Sequence, residues 1–194
     1  MNKNIFAKFL LIFALVTTTV FALEKETLKS DMTNKMNQVV KILDNKELNI
    51  ETKNNEIIKV MDEVFDYSLM SKIALGRNIK KIKDMAQFNE FSKAFENSLK
   101  KSYSDKLHLY DNQKLEIGDL APYKNGRLQL QTKLIGEKET YEINYNFYED
   151  KKTSQWLIYD VELIGVSIIQ TYIKQFDGVL ANNDINYLIS ELNK

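Results

Sequence analysis

The residues best placed for chemistry lie in the stretch YDVELIGVSIIQTYIKQF, residues 159–176. Gly165-Val166-Ser167 is half of the Gly-x-Ser-x-Gly turn that lifts a nucleophilic serine off the end of a strand. The other half is missing: the second glycine would fall at Ile169, whose branched side chain would crowd the turn. The base is missing as well. The only histidine, His108, precedes the serine, whereas the α/β-hydrolase order places histidine after it. Ser167 is therefore expected to start a helix, its hydroxyl satisfying an amide left free in the first turn. Gly165 then lets strand meet helix.

Other chemistries are excluded on residue type. His108 sits near the end of a long helical pattern, where its ring favours exposed carbonyls. One histidine and no cysteine cannot make the usual zinc site, the acidic residues lack calcium-loop spacing, and no Gly-x-x-x-x-Gly-Lys loop is present. Bare amides near Val166 and Ser167 are a weak phosphate site, because no Arg or Lys stands beside them. Asp160 alone invites a catalytic reading, since cavity-bearing α+β sheets also host isomerases that use a raised-pKa carboxylate. The simpler role for it is pairing with an arginine or capping at the edge of the sheet. No catalytic residue, metal or cofactor is expected.

The start of the chain bears on where it works. Lys3 and Lys8 precede an apolar run from Phe9 to Val16, followed by Thr17 to Thr19 and Val20-Phe21-Ala22. This is the pattern of a cleavable signal peptide over residues 1–22, with a run too short for a bilayer span of about 20 apolar residues. No cysteine follows Ala22, so a lipid-modified N-terminus is not expected. Residues 23–194 then form one domain. Without Lys3 and Lys8, 25 of the 27 basic residues remain against 27 acidic ones, a formal charge of about −2. No basic excess is left with which to hold nucleic acid. Export permits disulfides, yet there are no cysteines, so the core alone must stabilise the fold.

The elements that position these residues follow from periodicity. Leu28, Met32, Met36, Val39 and Leu43 make one stripe on a helix from about Glu24 to Leu43, and Ile57, Ile58, Met61, Val64 and Phe65 a second. Asp66 is set to cap a short helix that Gly76 ends in a left-handed conformation. Asp84 and Gln87 form a capping box for the longest helix, whose stripe is rich in aromatics. After Asp111 the period falls from 3.6 to 2, giving four strands with short connections and hence an antiparallel sheet. Beyond Gly165 a helix with a wide apolar arc follows, and Asp184 to Leu192 closes the chain. Helices followed by a run of antiparallel strands is an α+β pattern: helices packed on one curved antiparallel sheet of about four strands. Its apolar stripes either fill a core or line an apolar cavity, and periodicity alone does not separate the two.

Three stretches together carry a family resemblance: FDYSLMSKIALGRN (65–78), FSKAFENSLKKSYSDKL (91–107) and WLIYDVELIGVSIIQTYIKQF (156–176). In that order, after a signal peptide, they resemble the MlaC family, also called toluene-tolerance auxiliary proteins. The most specific series is Trp156, Tyr159, Asp160, Val161, Gly165, Val166, Ser167, Tyr172, Gln175 and Phe176. NIKKIKDMAQ and DNQKLEIGDLAPYKNG depart from the family pattern. The resemblance implies a periplasmic phospholipid carrier, not an enzyme, that maintains the lipid asymmetry of an outer membrane. It also implies as partners an inner-membrane ABC transporter with an MCE-domain ring and an outer-membrane lipoprotein–porin complex. Phospholipid is then cargo, and the carrier is expected to be a monomer. The tails are expected between the sheet face (Leu130, Ile143, Tyr145, Ile158) and helices contributing Phe65, Met70, Phe91, Phe95, Tyr103, Val166, Ile169, Tyr172 and Phe176. Two alternatives remain at this level: an isomerase-type enzyme built around Asp160, or a periplasmic chaperone or adaptor that binds apolar peptides.

Overall fold

A computed structural model describes residues 23–104, 107 and 110–194. The expected signal peptide and His108 lie outside the described residues. The chain runs α1 (Leu28–Asp44), α2 (Ile50–Met61), a short 3-10 turn, α3 (Tyr67–Leu75), a second 3-10 segment and α4 (Met85–Ser104). The strands follow as β1 (Lys114–Tyr123), β2 (Arg127–Ile135), β3 (Thr140–Glu149), β4 (Trp156–Leu163) and β5 (Val166–Ser167). α5 (Ile168–Leu180) and α6 (Ile185–Leu192) complete the chain.

Local chemistry sets most of these boundaries. Asn49, Asp66 and Asp184 each accept an amide of the first helical turn, from Thr52, Leu69 and Tyr187. At α4, Asp84 accepts from Gln87 N at 2.8 Å while the Gln87 side chain accepts from Lys83 N at 2.9 Å, one residue earlier than in the usual box. Gly76 does have positive φ, but its ψ of −126° leads into the 3-10 segment Gly76–Lys81 rather than a left-handed cap. α1 begins at Leu28 and not near Glu24. The residues before it fold as a turn, and the carbonyl of Leu23 accepts from Trp156 N at 2.8 Å.

The sheet has five antiparallel strands in the order β1-β2-β3-β4-β5, one more than expected. The fifth is only two residues long, too short for a period of 2 to register. Two packed regions result. One is helical, with Met70, Phe91, Phe95, Ile169 and Phe176 at its centre; the other is formed by α1 against the sheet, around Met32, Val64, Leu130, Phe147 and Ile158. Phe65 and Ile168 pack against both. The backbone joins them as well, through a parallel bridge of Phe65 with Ile158 and a bond from Asp66 N to the Ile158 carbonyl.

Candidate functional site

Beside these packed regions the sheet and helices border an apolar cavity of about 370 Å³ that is partly open to solvent. The sheet supplies Leu115, Thr132, Leu134, Ile143, Tyr145, Val161 and Leu163, which alternation brings to one face. α1 supplies Met36, Val39, Val40 and Leu43, and α2 supplies Asn54, Ile57, Ile58 and Met61. Phe65, Tyr67, Ile168 and the end of α4, with Lys100, Tyr103 and Ser104, complete the wall together with Leu107. α2 fully buries no residue: Ile57 and Ile58 of its apolar stripe line the cavity, and Met61 both lines it and packs against the core under α1.

Of the residues expected from sequence, the structure brings Phe65, Tyr103, Ile143 and Tyr145 to this wall. Met70, Phe91, Phe95, Ile169, Tyr172 and Phe176 belong instead to the helical core and its margin. There the rings meet one another: Phe91 lies 5.8 Å from Phe176 edge-on, and Phe95 lies 5.1 Å from Tyr172. Leu130 and Ile158 are fully buried beneath α1. Val166 faces solvent at 60% exposure, because it lies on the β4–β5 hairpin. The α1 and α2 stripes were visible as periodicity but gave no sign that their opposing side was empty.

Polar groups at the wall are mostly neutralised. Thr132 Oγ1 donates to the Ile143 carbonyl at 2.8 Å. Lys100 pairs with Glu96 at 2.6 Å and with Asp62, and lies 4.7 Å above the Tyr67 ring. Burial works against its charge, but the bonds it donates to Asp62 and Glu96 prevail and its pKa is raised. Burial alone pushes the Tyr145 hydroxyl up to about 12. Tyr103 is 36% exposed as a residue, yet burial of its hydroxyl, with Tyr145 and Tyr172 nearby, raises its pKa too.

Asp160 and Ser167 are occupied by structure. Ser167 Oγ accepts from Gln170 N at 3.0 Å and donates to Asp160 at 2.6 Å, while Asp160 also accepts from Ile169 N at 3.1 Å. Together they cap α5, the carboxylate lying at the positive end of the helix. Burial raises the pKa of Asp160, and the bonds from Ser167, Ile169 and Val161 limit the rise. Capping is thus its role; the alternative, an arginine partner, is not what holds it, for Arg127 lies over the Tyr159 ring at 4.2 Å. The turn preceding the cap uses Ile164 and Gly165, both at positive φ, 51° and 73°. Positive φ is strained for a β-branched residue, and Ile164 is nonetheless 61% exposed.

A wider groove of about 910 Å³ runs between Glu24–Glu26 and the β1–β2 turn. Its lining mixes Lys25, Arg127 and Glu149 with Leu128 and Trp156, and it shares no residue with the apolar cavity. Among the described residues no group of His, Cys, Asp or Glu could hold a metal, and no helix is long and apolar enough to cross a membrane.

An antiparallel sheet covered by helices, with a hollow apolar space between them, defines the class: an α+β protein built around a hydrophobic cavity. The chain belongs to the MlaC protein family, whose sequence model matches residues 33–194. Over 109 residues it is 26% identical to the intermembrane phospholipid transport system binding protein MlaC of Haemophilus influenzae, covering 55% of this chain. The matched region is 51% of that protein, so the chain spans about half the length of this curated relative. The fold is similar to that of a phospholipid-binding protein from Ralstonia solanacearum, solved in complex with a phospholipid. The TM-score is 0.72 at 18% identity, over 85% of this chain and 94% of that one.

Proposed function

We propose that this protein is a periplasmic phospholipid carrier that moves lipid between the inner and outer membranes and performs no chemistry on it. The observation that carries this reading is the apolar cavity between sheet and helices, in a chain of the MlaC family. The Haemophilus relative belongs to an intermembrane phospholipid transport system, and the Ralstonia neighbour holds a phospholipid, which supports the same cargo here.

The physics of the cargo matches the wall. Each methylene exposed to water costs about 0.8 kcal/mol, so the tails are what a carrier must bury. Of the expected set, Phe65, Tyr103, Ile143 and Tyr145 are proposed to contact them, joined by Met36, Leu43, Ile57, Ile58 and Leu134. The cation at the wall, Lys100, is already paired with Asp62 and Glu96. The headgroup is therefore left to solvent and weakly discriminated. The carrier works as a monomer that docks in turn on the inner-membrane ABC transporter with its MCE-domain ring and on the outer-membrane lipoprotein–porin complex.

Native mass spectrometry of protein purified from cells tests the reading. Mass increments of phospholipid are expected; a uniformly empty protein that also takes up no lipid from vesicles overturns it.

A further inference from the structure

Residues 67–83 hold five basic residues and no acidic one: Lys72, Arg77, Lys80, Lys81 and Lys83. The rest of residues 23–194 then carries 20 basic residues against 27 acidic ones. Most of these cations fall in or beside NIKKIKDMAQ (78–87), a stretch that departs from the family pattern and contributes nothing to the cavity wall.

The 3-10 segment Gly76–Lys81 sets how the charges are displayed. With three residues per turn, side chains three apart eclipse, and the segment has three rows. Ile79 and Ile82 pack against the helical core. Asn78 and Lys81 turn to α5, where Asn78 Nδ2 donates to Asp177 Oδ1 at 2.5 Å and Lys81 Nζ donates to the Leu180 carbonyl. Arg77 and Lys80, with Lys83 just past the end, are left on the outside; all three are exposed, as is Lys72 on the last turn of α3. The outer row is thus fixed from behind by the other two.

Little offsets these charges. Asp177 lies 3.3 Å from Arg77 Nε and balances that one cation. Lys72, Lys80, Lys81 and Lys83 form no ion pair among the described residues. Asp84, the next acid along the chain, turns its carboxylate to the Gln87 amide.

The residue types match one partner chemistry. The unpaired cations are all lysines, compact point charges suited to a diffuse field, while the one arginine, whose planar fork would select a single carboxylate, already faces Asp177. Two residues after Lys83, Met85 is 69% exposed. A cluster of about four to eight cations with an apolar residue beside it is the composition that holds a protein to an anionic lipid surface. The acidic remainder is repelled by the same surface, so this face is the one that approaches it.

We propose that Lys72, Lys80, Lys81 and Lys83, with Met85, form a docking face for an anionic lipid surface. Electrostatic capture there holds and orients the protein at a membrane, whatever the cavity carries.

The test is co-sedimentation of the purified protein with vesicles of phosphatidylcholine, alone or mixed with phosphatidylglycerol. Binding is expected only with phosphatidylglycerol present and is lost at high salt. Each lysine at such a surface is worth about fivefold in partitioning, so Lys80→Gln with Lys83→Gln should weaken binding on the order of twentyfold. Lys80→Arg with Lys83→Arg should keep it within about twofold, because a diffuse field reads charge and not side-chain shape. Met85→Ser should weaken it several-fold. Lys138→Gln with Lys152→Gln removes two exposed charges elsewhere and should change it by no more than about twofold. Binding that ignores phosphatidylglycerol or salt, or an equal loss in the Lys138 and Lys152 variant, overturns the docking face. So does a protein that binds polyglutamate through Lys80 and Lys83 but no anionic vesicle, which would make an acidic protein the occupant. None of these residues lines the cavity, so either result leaves the cargo reading standing.

Discussion

The helical core and the cavity are built from similar stripes and reach opposite outcomes. Where α4 meets α5, aromatic residues project from both sides, and Phe91, Phe95, Tyr172 and Phe176 fill the space between them ring against ring. Where α1 and α2 face the sheet, the helices contribute Met36, Val39, Leu43, Ile57 and Ile58, and none of these reaches far enough to close the gap. An interior packed to native density tolerates few voids. A void of about 370 Å³ that persists beside a well-filled core marks a surface shaped for something else.

This contrast breaks most visibly under substitution. Ile169 is 2% exposed in the helical core, so Ile169→Glu buries an unpaired charge and is expected to cost at least about 3 kcal/mol, read by urea unfolding. It is a test of folding and not of cargo. Phe95→Ala in the same core should cost about 3–5 kcal/mol. Ile58→Glu on the cavity wall should behave in the opposite way: lipid recovered with the purified protein falls at least tenfold, while stability shifts by no more than about 1 kcal/mol. Equal destabilisation by Phe95→Ala and Ile58→Glu would mean that the two regions are one continuous core.

That outcome also explains how much was legible in the sequence. Period and caps located the elements, because Asp66, Asp84 and Ser167 act through bonds to residues three positions away. The two-residue β5 was beyond reach, being shorter than one repeat of any pattern. The site was legible only in part for a related reason. Periodicity states which side of Phe95 or Ile57 faces inward, but not what stands opposite. Tyr145 and Leu130 share a face of the sheet, yet Tyr145 lines the cavity and Leu130 lies beneath α1. That difference is set by where helices land, a long-range fact with no local signature.

The turn between β4 and β5 gives a smaller effect of the opposite sign. Ile164 holds positive φ beside Gly165, where a two-residue hairpin turn favours Asn-Gly. Relief of a left-handed β-branched residue is worth about 1 kcal/mol, so Ile164→Asn should stabilise the protein by that amount, measured as an upward shift in Tm. Gly165→Ala should do the reverse. Nothing lies within 4 Å of a methyl group added there, so the loss would come from φ alone.

The smallest expected effect lies at the cap joining β4 to α5. Burial raises the folded-state pKa of Asp160 above its unfolded value of about 3.9. Below about pH 4 both states hold the proton and the group adds no pH dependence. As pH rises through the window between the two values, the unfolded chain releases the proton first, so folding becomes less favourable; above the folded value the loss is complete and constant. Asp160→Asn removes this contribution. Urea titrations in steps across the acid range should therefore show the wild-type stability declining relative to the variant as pH rises through that window, then running parallel to it. A gap that widens in the other direction would mean that the bonds from Ser167 and Ile169 outweigh burial, and that the carboxylate is held as an anion by the start of α5.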